Sequence, residues 1–210
     1  MTTAESTFEG LAAIDPAFAA ALEKWGPPHP RDPADAATPN ARFAALTRSI
    51  MGQQLSVKAA RTIHGRVVDL LGASPTPELV LAHEEPALRA CGLSGAKIKS
   101  LHGIARAVQA GDIDFHALDD LSEDDAAAQL VALPGVGPWT AHMFLMFVLG
   151  RPDVLAPGDV GVQNGIKVIF EMDVRPTPKE LVVMAEPWSP HRTAACRLAW
   201  HVLDATPLGE

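Results

Sequence analysis

A turn with two glycines and two prolines, Leu133-Pro134-Gly135-Val136-Gly137-Pro138, constrains the fold of this chain more than any other segment. Glycine adopts backbone angles that are closed to other residues. A proline at the first helical position gives up only an N–H group that no helical carbonyl would have paired. Because an apolar run from Trp139 to Leu149 follows, the pattern predicts a helix, a tight turn and a second helix.

The second helix of this pair would begin with unpaired N–H groups and the positive end of its dipole. Such a helix start can bind an anion, and a phosphate is the natural ligand. A plain helix–helix connection, with glycines for close packing, is the alternative.

Farther along, Pro157-Gly158 predicts a turn, and Asp159 is placed to cap a helix over Val160 to Phe170. Asp153 and Glu171, two other acids nearby, are interpreted as surface groups.

Helical periodicity recurs along the whole chain, whereas no segment of useful length alternates with the period of a β-strand. We therefore predict an all-α fold. Apolar spacing predicts one helix from Phe8 to Trp25, and Asn40 and Ser56 are placed to cap the next two helices. Ser122 with Asp125 is similar to a capping box that starts a further helix.

Charge and cysteine content restrict the function classes. The net charge of −8 argues against a nucleic-acid partner. However, Arg42–Val68 and Pro86–Gly111 contain bases and no acid, which is compatible with a basic face on an acidic protein. Chance clustering on solvated helices is the alternative. Two distant cysteines, Cys91 and Cys196, exclude a four-cysteine cluster and do not indicate a disulfide framework.

The N-terminus lacks the basic and apolar regions of a signal peptide, and the longest apolar run is too short to cross a bilayer. These features predict a protein without a membrane association, located in the cytoplasm.

Two adjacent glutamines, Gln53 and Gln54, lie between two predicted helices. Their long hydrogen-bonding side chains could enter a nucleic-acid groove, and a simple polar turn is the alternative.

Taken together, four blocks make the chain resemble DNA glycosylases of the helix-hairpin-helix superfamily, and most of all the 3-methyladenine DNA glycosylase II branch. The resemblance covers about Asn40 to Leu203. The blocks are Ser49-Ile50-Met51-Gly52-Gln53-Gln54-Leu55-Ser56 with Lys58-Ala59-Ala60, Gly92-Leu93-Ser94 with Lys97, Leu133 to Ala141, and Asp153-Val154 with Pro157 and Asp159.

The resemblance implies two helical subdomains with a cleft between them, forming a single catalytic unit over 1–210. The middle subdomain would be 40–150, including the hairpin, and the second would be 1–39 plus 151–210. It also implies a monofunctional enzyme that rotates alkylated bases such as 3-methyladenine out of the duplex and excises them in base excision repair. Double-stranded DNA with a damaged base would be the partner of a monomer located with the chromosome.

The resemblance also implies roles for individual residues. Asp159 would be the catalytic acid. Residues contacting DNA would be Gln54, which plugs the emptied base stack, with Ser56, Gly135, Gly137 and Thr140. Trp139, Trp200 and Met143 would line the base pocket, although composition alone would place both tryptophans in the core. Backbone carbonyls of Val131, Leu133 and Val136 would bind a structural monovalent cation.

The chain departs from the family pattern at several positions, and these departures restrict the reaction, the cofactor and the base pocket that the resemblance implies. Bifunctional members carry a lysine nucleophile where this chain has Trp139, and no lysine occurs from Pro134 to Gly165. The iron–sulfur ligands of the endonuclease III branch are missing, so no cofactor is expected for the chemistry. The chain contains no tyrosine, so the pocket should be less aromatic than in many members. A glycosylase for oxidised or deaminated bases and a non-catalytic lesion-binding module remain alternatives.

Overall fold

The computed structural model describes residues 3–29 and 37–205. Over these ranges the chain is helical with no β-strand, which confirms the predicted all-α fold. The helices are α1 (Thr3–Ile14), α2 (Pro16–Trp25), α3 (Pro39–Gly52), α4 (Val57–Leu71), α5 (Pro77–Leu81), α6 (Glu85–Ala90), α7 (Gly95–Ala110), α8 (Glu123–Val131), α9 (Pro138–Phe147), α10 (Val160–Ile169), α11 (Pro178–Met184) and α12 (Arg192–Ala205), with 3₁₀ turns at Ala117–Asp120 and Glu186–Trp188.

The described residues divide into two compact units. The first unit comprises 3–29 and 151–205, and the second comprises 37–150. In the first unit, α12 packs against α1, α2 and α10. Its core includes an aromatic cluster in which the Phe18 ring meets the rings of Phe170 and Trp188 edge-on, at centroid distances of 5.2 and 5.1 Å.

In the second unit, α7 packs against α3, α5 and α6, while α9 packs against α3 and α8. Apolar side chains of α3 and α7 form much of the core, and Leu46, Leu101 and Ile104 are fully buried. This arrangement places α7 beside both the end of α3 and the turn between α8 and α9. These are the two segments that carry the sequence blocks with the glutamine pair and the glycine turn.

Two helix boundaries differ from the sequence prediction. The single helix predicted from Phe8 to Trp25 is wrong, because Asp15 has an extended backbone and its carboxylate accepts the Ala17 N–H at 2.8 Å. Pro16 then begins α2, since a proline inside a helix removes a hydrogen bond and clashes with the preceding turn. Asn40 is not a cap either, because Thr38 caps α3 and Pro39 occupies its first position.

Other caps follow the prediction. Ser56 caps α4 through the Ala59 N–H at 3.3 Å. Ser122 caps α8, although the Asp125 carboxylate accepts the Ser122 hydroxyl and not its backbone N–H. The reciprocal capping box occurs instead at α11, between Thr177 and Glu180.

Candidate functional site

The two helices and the tight turn predicted around the two glycines are present in the second unit, where α8, the turn and α9 form the hairpin. Helix α8 ends at Val131 and α9 begins at Pro138. Gly135 has a φ of +79°, and the Val136 N–H donates to the Leu133 carbonyl at 3.2 Å, which closes the turn. Gly137 is the N-cap of α9 and makes no side-chain cap hydrogen bond. The N-terminus of a helix is a place where backbone N–H groups and the helix dipole can bind an anion.

Close packing also contributes to the choice of Gly135. A Cβ atom there would overlap the Ser100 hydroxyl of α7, whereas a Cβ at Gly137 would meet nothing within 4 Å. Close packing therefore contributes to the requirement for glycine at Gly135 and not at Gly137. The same face of α7 also receives the turn at Gly103, where a Cβ would come within 2.5 Å of the Pro134 ring.

The first turn of α9 carries side chains with different exposures. Trp139 is 50% exposed, so composition alone misplaces it as a core residue. Met143, one turn later, is half-buried. The Thr140 side chain is buried and its hydroxyl accepts the Gln53 amide at 3.3 Å. Thr140 can therefore offer an anion its backbone N–H, while its hydroxyl is used inside the unit.

The glutamine pair forms the turn between α3 and α4. Gln54 is exposed and has a φ of +57°, a left-handed conformation that is costly for a residue with a Cβ. Exposed Leu55, Ser56 and Val57 follow it. Gln53 instead faces the hairpin, where its side-chain amide donates to the Gly135 carbonyl at 3.1 Å. The two glutamines thus have different surroundings, which their adjacency in the sequence does not reveal.

Asp159 lies in the first unit, at the N-terminus of α10. Its Oδ1 atom accepts the Val162 N–H at 2.8 Å and the Trp200 indole N–H at 3.0 Å. Two donors hold Oδ1 in place, whereas the capping role needs only one. Trp200 therefore contacts the predicted catalytic residue directly.

Glycines of α10 make this contact possible, and sequence reasoning missed them. A Cβ at Gly161 would lie 2.9 Å from the Trp200 ring and 3.0 Å from Asp159 Oδ1. A Cβ at Gly165 would overlap the backbone of Ala199 in α12. Gln163, 5% exposed, donates to the Pro157 carbonyl at 2.8 Å and so holds the turn before Asp159. Glycines four residues apart in an apolar helix were the available signal.

Asp153 is not the surface group that the sequence suggested. Its carboxylate accepts hydrogen bonds from Arg192 Nε and Nη2, both at 2.7 Å, and from the Ser189 hydroxyl. Burial alone would raise the pKa of Asp153, but these hydrogen bonds outweigh it and lower that pKa below its ordinary value. The ion pair ties the segment after α9 to the N-terminus of α12. Glu171 is exposed, as predicted.

The basic stretches contain bases with internal partners as well as exposed ones. Arg42 is buried and donates to the Phe115 carbonyl and to Asp119 at 2.6 and 2.9 Å. Arg89 pairs with Glu85, and Lys97 donates to backbone carbonyls. The bases of the two stretches that are exposed are Arg48, Lys58, Arg61, Arg66, Arg89, Lys99 and Arg106.

Comparisons with known proteins identify the family of this chain. Residues 47–190 match the model of the HhH-GPD superfamily base excision DNA repair proteins. The chain belongs to this superfamily. It is 33% identical to DNA-3-methyladenine glycosylase 1 of Schizosaccharomyces pombe over 171 residues, which are 80% of this chain and 74% of that protein.

Solved structures of HhH-GPD proteins share the fold. The DNA-3-methyladenine glycosidase of Bacillus halodurans is 35% identical, with a TM-score of 0.80 over 92% of this chain and 87% of that one. The S. pombe 3-methyladenine DNA glycosylase in complex with abasic DNA is 30% identical, with a TM-score of 0.77 over 93% and 95% of the two chains.

Neither cysteine is suited to a nucleophile or ligand role in this HhH-GPD chain. Both are buried, and burial raises the pKa of the Cys196 thiol to about 12, so it stays protonated near neutral pH. The described residues contain no group of three or more His, Cys, Asp or Glu that could hold a metal ion. No helix within the described ranges has both the length and the apolar character to cross a membrane.

Proposed function

We propose that this chain is a monofunctional DNA glycosylase that extrudes an alkylated base, such as 3-methyladenine, and hydrolyses its N-glycosidic bond in base excision repair. The observation that carries the proposal is Asp159, oriented by the Trp200 indole and the Val162 N–H in an HhH-GPD chain. The named relatives from S. pombe and B. halodurans support the alkylated-base class.

The chemistry suits a fixed carboxylate. Breaking the bond between the base and the sugar develops positive charge on the sugar, as in other glycoside hydrolyses. The Asp159 carboxylate would stabilise that charge electrostatically and orient or deprotonate the attacking water. Since two donors already hold Oδ1, little reorganisation of the carboxylate would be needed as the charge develops.

Hydrolysis is favoured over a lyase reaction. A lyase needs an amine nucleophile that forms a Schiff base with the sugar. The second helix of the hairpin carries Trp139 in that place, and the stretch Pro134–Gly165 has no lysine. The product would therefore be an abasic site with both strands intact.

DNA binding would use the second unit. The backbone N–H groups of Gly135, Gly137 and Thr140 would hold a backbone phosphate. Gln54, exposed and with positive φ, would enter the space left by the extruded nucleotide, and Ser56 would lie beside the strand. The exposed Trp139 indole would attract a cationic N-alkylated base through its electron-rich face.

Further parts of the proposal concern the cation, the assembly and the location. Neutral carbonyls of Val131, Leu133 and Val136 suit a weakly bound monovalent cation, which would stiffen the hairpin without entering the reaction. The Leu133 carbonyl already accepts the Val136 N–H, and a carbonyl oxygen can accept a second partner. We expect a monomer that acts on chromosomal DNA in the cytoplasm.

The decisive experiment is base release from duplex DNA treated with a methylating agent, measured under single turnover and resolved by the identity of the released base. Release of 3-methyladenine supports the proposal. Release only from oxidised or deaminated DNA would assign another lesion class. Tight lesion binding without release of any base would indicate a non-catalytic binding module.

A further inference from the structure

The Gln54 turn is a strained element that needs support. Its positive φ is disfavoured for a residue with a Cβ, and such conformations persist only where surrounding contacts over-determine them. The turn also follows the C-terminus of α3, where the last carbonyls lack helical partners. The Gln53 and Leu55 backbone N–H groups close the turn by donating to the carbonyls of Ile50 and Gly52, and side chains supply further support.

Lys97 supplies the first support. Its ammonium group, on α7, donates to the Met51 carbonyl at 2.9 Å and to the Gln53 carbonyl at 2.7 Å. These carbonyls lie at the C-terminal end of α3, where a cation is favoured by the helix dipole. Burial lowers the pKa of Lys97, in keeping with an ammonium group withdrawn from solvent. Two of its three N–H donors are thus directed at the backbone on either side of Gly52.

Gln53 supplies the second support. Its side-chain amide donates to the Gly135 carbonyl at 3.1 Å and to the Thr140 hydroxyl at 3.3 Å. One residue therefore connects the glutamine turn to the hairpin turn and to the first turn of α9. Ser100 of α7 lies against Gly135, three residues from Lys97 on the same helix. Helix α7 is thus in contact with both segments.

From these contacts we propose that Lys97 and Gln53 are positioning residues that lock the Gln54 turn to the hairpin. Lys97 is then an internal clamp of the backbone and not a phosphate contact. The consequence is that the extrusion plug and the phosphate site move as one body on DNA. This inference rests on the proposed role of Gln54, and it adds the residues through which that role is exerted.

The test is a double-mutant cycle of Lys97→Met and Gln54→Ala, read as single-turnover excision of a lesion in a well-paired duplex. If Lys97 acts through Gln54, Lys97→Met costs about tenfold alone and less than about twofold in the Gln54→Ala background. Lys99→Met, which removes the same charge from an exposed position of α7, is the matched control and should cost the same in both backgrounds.

Two further readouts separate a clamp from a phosphate contact. The slope of log affinity against log salt should be unchanged in Lys97→Met and should become shallower by up to about 0.9 in Lys99→Met. The backbone N–H groups of Gln53 and Leu55 donate to the carbonyls of Ile50 and Gly52. They should exchange hydrogen about tenfold faster in Lys97→Met than in the wild type. Amides in the middle of α7 should keep their protection.

Additive losses in the cycle, or a reduced salt slope for Lys97→Met, would overturn the inference. If Lys97→Met does not fold, Gln53→Met gives an independent test, because it removes only the bonds to Gly135 and Thr140. An unaltered excision rate for Gln54→Ala would contradict the plug and not the clamp. Hydrogen exchange at Leu55 then still decides whether Lys97 orders the turn.

Discussion

At the scale of single residues, the Asp159 carboxylate has two separable roles. Its Oδ1 caps α10 and holds the Trp200 indole, while its negative charge would act on the sugar. Asparagine keeps an oxygen at the capping position and removes the charge. Comparing Asp159→Asn with Asp159→Ala therefore separates chemistry from structure.

For Asp159→Asn we predict loss of base excision by a factor of about 10² or more, with DNA binding retained. Asp159→Ala should lose excision to the same extent and also lose about 1 kcal/mol of stability, because the cap is removed. Single-turnover rates, affinity for abasic DNA and urea denaturation measure these effects. Near wild-type excision by purified Asp159→Asn would remove this residue from the mechanism.

Gly161 gives a second prediction at this scale. Alanine stabilises a helix interior relative to glycine by about 1 kcal/mol. Gly161 is instead the second residue of α10, where the Cβ of an alanine would lie 2.9 Å from the Trp200 ring. We predict that Gly161→Ala lowers excision by about tenfold because the indole can no longer reach Asp159.

Gly65→Ala is the matched control, since a Cβ at this position of α4 meets nothing within 4 Å. It should raise the thermal midpoint and leave excision unchanged. Excision by Gly161→Ala at the rate of Gly65→Ala would show that the contact between Trp200 and Asp159 is dispensable.

Sequence reasoning performs unevenly for these residues. The turn at Gly135 and the cap at Asp159 follow from local rules, because proline and glycine restrict the backbone directly. The contact with Trp200 joins residues 41 positions apart and has no local signal. Gln53 and Gln54 are adjacent and chemically identical, yet only the fold shows that one faces the hairpin and the other faces solvent.

At the scale of helices, Asp153 anchors the N-terminus of α12, the helix that carries Trp200. Its carboxylate also accepts the Arg192 backbone N–H at 3.2 Å, in addition to the side-chain bonds. We predict that Asp153→Asn destabilises the protein by about 1–3 kcal/mol near neutral pH, because charge-assisted hydrogen bonds are lost inside a half-buried network. Urea denaturation of both proteins measures the difference.

The pH dependence of that difference has a definite sign. The pKa of Asp153 is lower in the folded protein than its ordinary value of 3.8. The contribution of the Asp153 carboxylate to the free energy of unfolding is therefore fully present above pH 3.8 and is lost as the pH falls through the folded pKa. The stability difference between wild type and Asp153→Asn should shrink below about pH 4. A difference that stays constant down to pH 3 would contradict this account.

Helix boundaries show where sequence patterns mislead. Apolar spacing continues through Asp15 and Pro16, so periodicity alone joins α1 and α2, although the proline is a direct chemical signal for a new start. Thr38 precedes Pro39 and is a better cap than Asn40 for the same reason. The sequence predicts a surface acid at Asp153 because its partner, Arg192, is distant along the chain.

At the scale of the whole molecule, net charge and local charge act in opposite directions. The chain carries −8 overall, yet seven exposed bases occur in segments without acids. The sequence shows the acid-free stretches, but it does not show that Arg42, at the start of the first one, is buried. Its partner, Asp119, lies outside both stretches, and only the fold brings them together.

Affinity for DNA should therefore fall with salt despite the acidic composition, with a log–log slope that counts the phosphates neutralised, at about −0.9 for each. Lys58→Ala, at the exposed start of α4, should make the slope shallower by up to about that amount and leave stability unchanged. Arg42→Met should lower stability and leave the salt slope unchanged, because it breaks the buried pair with Asp119 and removes no exposed charge. Binding titrations at several salt concentrations, with urea denaturation of each variant, measure both effects. An affinity independent of salt would mean that the exposed bases do not contact DNA, and that the backbone N–H groups of the hairpin and the plug carry binding without them.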